Sequence, residues 1–550
     1  MMWLKSWRRN RKPNRCLRRA QGLGFGLRVE SLESRTVLSS FTAANGSDLI
    51  ADIRAANKSG GSSTITLTAP ASSHYVLAAV DNTTNGANGL PVIGSGKAVS
   101  LTIIGNGDTI ERGTAAGTPA FRLFDLAAGS SLSLQSLTLQ DGLAQGAGAA
   151  ADGGAIYNQG TLTLTAATVE NNIAQGSNGA NGVVTTKLFH GQSSYDGQVG
   201  TDAAGGGIWS SGSVTLQGGT TLQGNQARGG RGGDAGWVGN ASYVDGSTVG
   251  SGGAGGGGFG GGLYQAGGSV NASHATFSAN DVQGGFGGGV ENAPSIAVGP
   301  PTNTTGVGGK GSGGGLYVAG GTLTLTTVSV QSNQADGGNG GHFYRYYAAV
   351  AEPGGEGSGG GMYAAGGTVN LDTVDLSANS AYGGGAGSDY DGFSGSFDTG
   401  NGGNVLGGGL YASGASVTLT GGTVSNNVAW GGGGGSYVLS AGSPGLNEGG
   451  GVFTSGGTLA ISSSTLSGNY AWNDGGGLYV NGGTVTVDSC TLSGNFVDSP
   501  GHGGAIDNNA GAGALTVRNG AFSNNYVYFY NTPDNLFGPY TDGGGNTGLP

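Results

Sequence analysis

Cysteine is almost missing from this chain: Cys16 and Cys490 are the only two in 550 residues. A disulfide framework is excluded, and Cys490 has no partner once Cys16 is assigned to the basic leader. The five histidines, His74, His190, His274, His342 and His502, lie far apart and show no metal-ligand spacing. No run of 18 apolar residues occurs, so no membrane-spanning helix is expected. Positive charge is scarce beyond the N-terminus. Of the 21 Lys and Arg, 10 fall within residues 1–39, and from Ser40 onward 11 basic residues stand against 30 acidic ones, a net of −19. Such a body repels nucleic acid and has no basic patch to offset the repulsion.

Residues 1–39 read as a targeting segment outside the fold. Arg8, Arg9, Arg11, Lys12, Arg18 and Arg19 make its start strongly basic, and the apolar stretch after them, 23–27, is short and Gly-rich. The run V-E-S-L-E-S-R-T-V-L-S over 29–39 resembles the bacterial N-terminal sorting motif L-E-P-R-x-L-L-S at Leu32, Glu33, Arg35, Leu38 and Ser39. It departs from that motif at Ser34 and Val37. The resemblance implies export.

Glycine is the residue in excess, 125 of 550, and it recurs at fixed places. Nine units of about 22 to 25 residues start at Gly153, Gly205, Gly260, Gly313, Gly359, Gly407, Gly449, Gly475 and Gly503. The unit at 313–335 reads G-G-G-L-Y-V-A-G-G-T-L-T-L-T-T-V-S-V-Q-S-N-Q-A. Three apolar positions repeat in every unit: here Leu316, the alternating pair Leu323 and Leu325, and Val330. Alternation with period two specifies strands with one face inward. No unit can bury that face alone, so the units must stack, each strand beside its copy in the next turn. The expected fold is all-β, a single-stranded right-handed parallel β-helix with three sides. An Asn follows three residues after the third apolar position in every unit: Asn172, Asn225, Asn280, Asn333, Asn379, Asn427, Asn469, Asn495 and Asn525. Asn tolerates the left-handed turn conformation and, in register, can bond its copy on the next rung.

G-G-A-I at 153–156 and 503–506, with F-x-x-N at 277–280 and 522–525, resembles the polymorphic outer membrane protein repeat. The other units carry G-G-G before Ile, Leu, Met or Val, and Leu or Val in place of Phe. The resemblance covers 153–527 and implies a pectin-lyase-like solenoid. It also implies display at the cell surface, association with the outer membrane or release outside the cell, and adhesion rather than one activity.

Before the units, 40–152 read as a cap and irregular first rungs. Residues 47–61 form a short amphipathic helix with Ser47 as N-cap and Gly60 and Gly61 as its stop, placed to cover the open end of the coil. The end segment, 528–550, is too short for the C-terminal membrane barrel of self-exporting relatives, so export is expected to use separate machinery. Gly-rich insertions follow the Asn turn at 175–204, 228–259, 283–312, 336–358, 382–406 and 430–448, then shrink to 472–474 and 498–502. Because the rungs are in register, the insertions must leave from one corner, the natural place for binding.

The candidate ligand-binding residues are aromatics of that fringe: Trp237, Tyr344, Tyr346, Tyr347, Tyr390 and Trp430. A second row follows the first apolar position, Tyr157, Trp209, Tyr264, Tyr317, Tyr363, Tyr411, Phe453 and Tyr479, and ends at Asp507. It reads first as ring stacking between rungs and second as a track for sugar rings. D-Y-D-G at 389–392 has a faint likeness to a calcium loop through Asp389 and Asp391, short of the oxygens a full site needs; no other cofactor is implied. Asp372, Asp375 and Asp488 lie near strands without a partnered cluster, so no catalytic residue is assigned. The expected function is a non-enzymatic exported scaffold binding polysaccharide or cell-surface components. The rival is a polysaccharide lyase or glycoside hydrolase on the same fold, which would need three or more carboxylates grouped in a groove. Oligomeric state is left open.

Overall fold

The computed structural model describes residues 39–549 apart from 147, 149, 187–191, 237–249, 292–302, 345–348, 388–398, 436–440, 499 and 529–531. The alternating segments form strands that pair parallel with their copies. In the rung at 313–336 these are Leu316–Val318, Thr322–Thr326, Ser329–Gln331 and Gln334–Asp336. They align with the next rung at Leu316 to Met362, Thr322 to Thr368, Ser329 to Asp375 and Gln334 to Ser380. Like residues therefore lie over one another at the strand spacing of about 4.8 Å. The result is a parallel β-helix whose sheets hold 23, 12 and 11 strands. The first two strands of each rung share the largest sheet.

Each rung has a fourth strand beyond the three expected from the sequence; because the first two share one sheet, the coil keeps three large sheets. The fourth strand follows the ladder Asn, and its inward residue is small: Ala174, Ala227, Val282, Ala335, Ala381 and Ala429 are all buried. A stack of Ala carries little apolar signal, and bulk is excluded there for a physical reason. The chain returns from each insertion as a two-residue strand, forming a seven-stranded sheet from Ala151–Asp152 to Asn447–Glu448, and this sheet packs on the fourth. Ala151, Ala174, Ala203, Ala227 and Val282 make one apolar cluster between them.

The nine asparagines stand in one buried file. The Nδ2 of Asn280 donates to Oδ1 of Asn333 at 2.9 Å, and Asn333 donates to Asn379 at 3.0 Å. The second Nδ2 hydrogen goes to the rung before, as from Asn333 to the Phe277 carbonyl at 3.0 Å, and each Oδ1 after the first also accepts the preceding Asn backbone N–H, the first accepting that of Gly142. Every donor and acceptor of the amide is thus paired inside the coil, the condition for burying it. The left-handed conformation expected at these asparagines belongs instead to the residue before each: Asn171, Ala279, Ser332 and Ala378 have φ of 52° to 55°. Turning one residue earlier aims the Asn side chain inward rather than to solvent.

The N-terminal helix is Gly46–Ser59, and its cap is Asn45, whose side chain accepts the Asp48 N–H; Ser47 lies inside the helix. Leu49, Ile53 and Ala56 bury its apolar face against the first strands, Ser39–Ala43 and Gly61–Leu67. At the other end, Leu536–Phe537 and Thr541–Asp542 pair with the preceding rung, and Asn535 accepts from Asn525 at 3.0 Å, closing the ladder.

The described parts of the Gly-rich insertions form a regular two-layer slab. In the second insertion Gly229 and Gly232 donate to the next rung, at Gln283 and Phe286, while Gly230 and Gly233 donate across to the returning strand at Thr201 and Gln198, all at 2.8 Å. Three residues separate like bonds, the period of polyproline II, and glycine is required wherever such chains touch, as in collagen. A Cβ on Gly230 would lie 1.9 Å from the Ser177 carbonyl oxygen, and one on Gly233 2.1 Å from that of Ala180. The outward third position is polar, and side chains of the preceding rung satisfy its N–H: Asn178 accepts from Arg231 and Asn181 from Asp234, both at 2.9 Å.

Candidate aromatic binding face

Two files of aromatic residues run along the coil. The first begins at Tyr157 in the strand Ile156–Asn158, and in-register pairing carries it through Trp209, Tyr264, Tyr317, Tyr363, Tyr411 and Phe453 to Tyr479. It lies beside the return sheet, so that Phe259 sets its edge on Tyr317 at 5.4 Å and Leu406 packs against the Tyr411, Phe453 and Tyr479 cluster. Tyr157 and Trp209 stack with centroids 4.4 Å apart and planes 2° from parallel; Tyr317 and Tyr363 do so at 4.8 Å and 2°. Rings stacked this way cover each other's faces. They keep an edge for solvent and have no open face to offer a sugar. Burial raises the hydroxyl pKa of Tyr264, Tyr317, Tyr363 and Tyr411.

The second file occupies the outward positions of the fourth strand, on the opposite side of that sheet from its Ala stack. Rung by rung these strands read Ser380–Tyr382, Val428–Trp430, Tyr470–Ala471, Phe496–Val497 and Tyr526–Val527. Tyr382 aligns with Trp430, Val428 with Tyr470, Tyr470 with Phe496, and Phe496 with Tyr526. Trp430 lies 5.3 Å from Trp472 with planes 59° apart, and 6.0 Å from Tyr470. Tilting leaves the rings open: Trp430 is 47% exposed, and Tyr382 and Trp472 38% each. On earlier rungs the same positions carry Gln175, Arg228, Gln283 and Asp336, so the face turns aromatic only over the last five rungs.

Of the six fringe aromatics expected to bind ligand, Trp430 is the one whose side chain is placed, and it joins this face. Trp237, Tyr346, Tyr347 and Tyr390, like Asp389 and Asp391, lie outside the described residues. Tyr344 is placed only as backbone, in the strand Phe343–Tyr344. Sequence reasoning missed Tyr470, Trp472 and Phe496 as partners of Trp430. The signal was present: after the ladder Asn the chain reads S-A-Y, V-A-W, Y-A-W, F-V-D and Y-V-Y in the last five rungs, alternating around the small inward residue.

Carboxylates gather at the C-terminal end of the stacked file. Glu448 and Asp474 occupy matching positions on successive rungs, and Asp507 takes the ring position after Tyr479. Burial and the charge of Asp474 push Glu448 up to about 7; burial, with Asp474, Asp534 and Glu448, pushes Asp507 up to about 7. Burial raises Asp474 as well, against the His502 N–H that donates to its Oδ1 at 2.7 Å. The His502 ring stacks on Phe537 at 3.9 Å. Carboxyls that hold protons near neutrality beside ionised ones are chemically able to act as acid and base. At the opposite end Arg122 lies 5.1 Å over the Tyr157 ring, with the fully buried Asp125 one position before Tyr157 in the file. Among the described residues no group of three or more His, Cys, Asp or Glu could hold a metal ion, and no helix is long and apolar enough to cross a membrane.

Comparison with family models, curated proteins and solved structures finds no match to this chain. The likeness to the polymorphic outer membrane protein repeat therefore rests on its tetrapeptides.

Proposed function

We propose that this protein is an exported, surface-associated scaffold, adhesin-like in role, that holds polysaccharide or cell-surface components on the aromatic face of its last rungs. The observation that carries this reading is the exposure of Trp430 and Trp472 on a rigid sheet. Monomeric proteins seldom leave grouped aromatic surface to water unless it meets something, and rings fixed by a ladder lose little entropy on binding. The sorting-like motif at 29–39 supports export. The test is a glycan array probed with the full chain. Retention on one or more glycans is expected; silence across the array, with turnover of any polysaccharide, would sink the scaffold reading.

The second reading, a polysaccharide lyase or hydrolase, is favoured by one observation: the Glu448, Asp474 and Asp507 group with its raised pKa values. Its weakness is the neighbourhood, where His502 lies beside Asp474 but lysine and arginine are scarce. Between 380 and 550 the chain has one Lys or Arg, Arg518, and that is ion-paired to Asp488 at 2.9 Å. Reducing-end assays on the full chain and on Glu448→Gln decide between the readings.

A further inference from the structure

We infer that the ligand of the aromatic face is an uncharged polysaccharide, lying along the coil axis across Tyr382, Trp430, Tyr470, Trp472 and Phe496. This rests on the scaffold reading above and narrows it to a ligand class. Three observations carry it.

The first is ring geometry. Trp430 and Trp472 are tilted 59° from one another and partly open to solvent, whereas Tyr157 with Trp209, and Tyr264 with Tyr317 and Tyr363, spend their faces on each other. The apolar C–H face of a sugar ring packs on an open aromatic face, and the amphipathic Trp and Tyr rings leave a polar edge for its hydroxyls.

The second is periodicity. The face repeats with the strands, one step of about 4.8 Å per rung, and from Tyr382 to Tyr528 it covers five strands, roughly 19 Å. A ligand with its own repeat engages several rungs at once, and each further contact is intramolecular. A polymer is therefore favoured over any single small molecule.

The third is charge. From 380 to 550, ten acidic residues stand against Arg518 alone. The Tyr470 hydroxyl itself donates to Asp498 at 3.3 Å. Polyuronates, sulfated glycans, nucleic acid and anionic lipid are all repelled by such a surface. With no cation to pair a carboxylate or sulfate, the energy of binding must come from ring contact and neutral hydrogen bonds.

The test is retention of the full chain on insoluble cellulose, (1→3)-β-glucan and mannan, with chitosan and immobilised polygalacturonate as charged counterparts. Retention on at least one neutral glycan is expected, unchanged at 1 M salt, where the screening length falls to about 3 Å. Trp430→Ala with Trp472→Ala should weaken it about ten-fold or more. Trp430→Phe with Trp472→Phe should keep most of it, with an unaltered circular dichroism spectrum. Retention on polygalacturonate or chitosan alone, released by salt, would overturn the uncharged ligand and leave the scaffold reading standing. Neutral retention that ignores the Ala pair would overturn the face. No retention on any of the five would remove both this inference and the scaffold reading beneath it.

Discussion

The two aromatic files use the same residue types on the same coil and come to opposite ends. Tyr264, Tyr317 and Tyr363 stand in a corner against the return sheet and stack at 4.8 to 5.0 Å. Their ring neighbours are each other, Phe259 and Tyr411. Tyr382, Trp430 and Trp472 stand on the outer side of the fourth-strand sheet, partly open to solvent, with Trp430 touching Trp472 and Tyr470 at a tilt. What separates the files is the second layer, not the side chains. In the corner the rings are covered, by stacking at Tyr264, Tyr317 and Tyr363 and by edge contacts at Tyr411; on the bare sheet Phe496 and Tyr526 stack, but Trp430 and Trp472 splay and remain available. Counting aromatics therefore says little about binding until each is placed on a side of its strand.

The largest expected effect belongs to the stacked file. Tyr317→Ala with Tyr363→Ala removes a stacked pair and the edge contact from Phe259, and should cost about 4 kcal/mol in chemical unfolding, with retention on glycan unchanged once folded. Lost retention in that folded variant would merge the two files into one binding surface.

An intermediate effect is expected from pH, at the end of that file. Glu448 and Asp507 are raised to about 7, above their values in an unfolded chain. Between about pH 4 and 7 the native state therefore holds more protons than the unfolded one, and stability falls as pH rises through that window. Below it both states are protonated and the penalty vanishes. Glu448→Gln with Asp507→Asn should raise stability at pH 8 by about 1–3 kcal/mol and flatten the profile, as thermal melts across pH 4 to 8 would record. A rise in stability with pH in the parent chain would contradict the burial described for these carboxyls.

The smallest effect on stability is expected from the open file. Trp430→Ala should shift unfolding by no more than about 0.5 kcal/mol, although it weakens retention. A loss of several kcal/mol would place Trp430 among the structural rings.

Much of this was legible in the sequence because a coil repeats its physics. Leu316, Leu323, Leu325 and Val330 marked three inward stacks, and the Asn after each third stack marked the turn. The fourth strand escaped notice because its inward residue is Ala, as in Ala335 and Ala381, which carries little apolar contrast. The slab is hidden for a different reason: runs such as G-S-N-G-A-N-G at 176–182 have the composition of loops. Spacing was the information, since Gly176, Gly179 and Gly182 fall three apart and each donates to the next rung at 2.8 Å. Trp430 was singled out, but among insertion aromatics rather than with Tyr470, Trp472 and Phe496, because its place at the end of a strand is set by the neighbouring rungs.

Hydroxyl-radical footprinting of the full chain, free and bound to the neutral glycan that retains it, reads both files in one experiment. Trp430, Trp472 and Tyr382 should oxidise readily in the free chain and become protected on binding, while Tyr264 and Tyr317 stay slow in both. Protection appearing at Tyr264 and Tyr317, with Trp430 and Trp472 unchanged, would contradict the division of labour between the files.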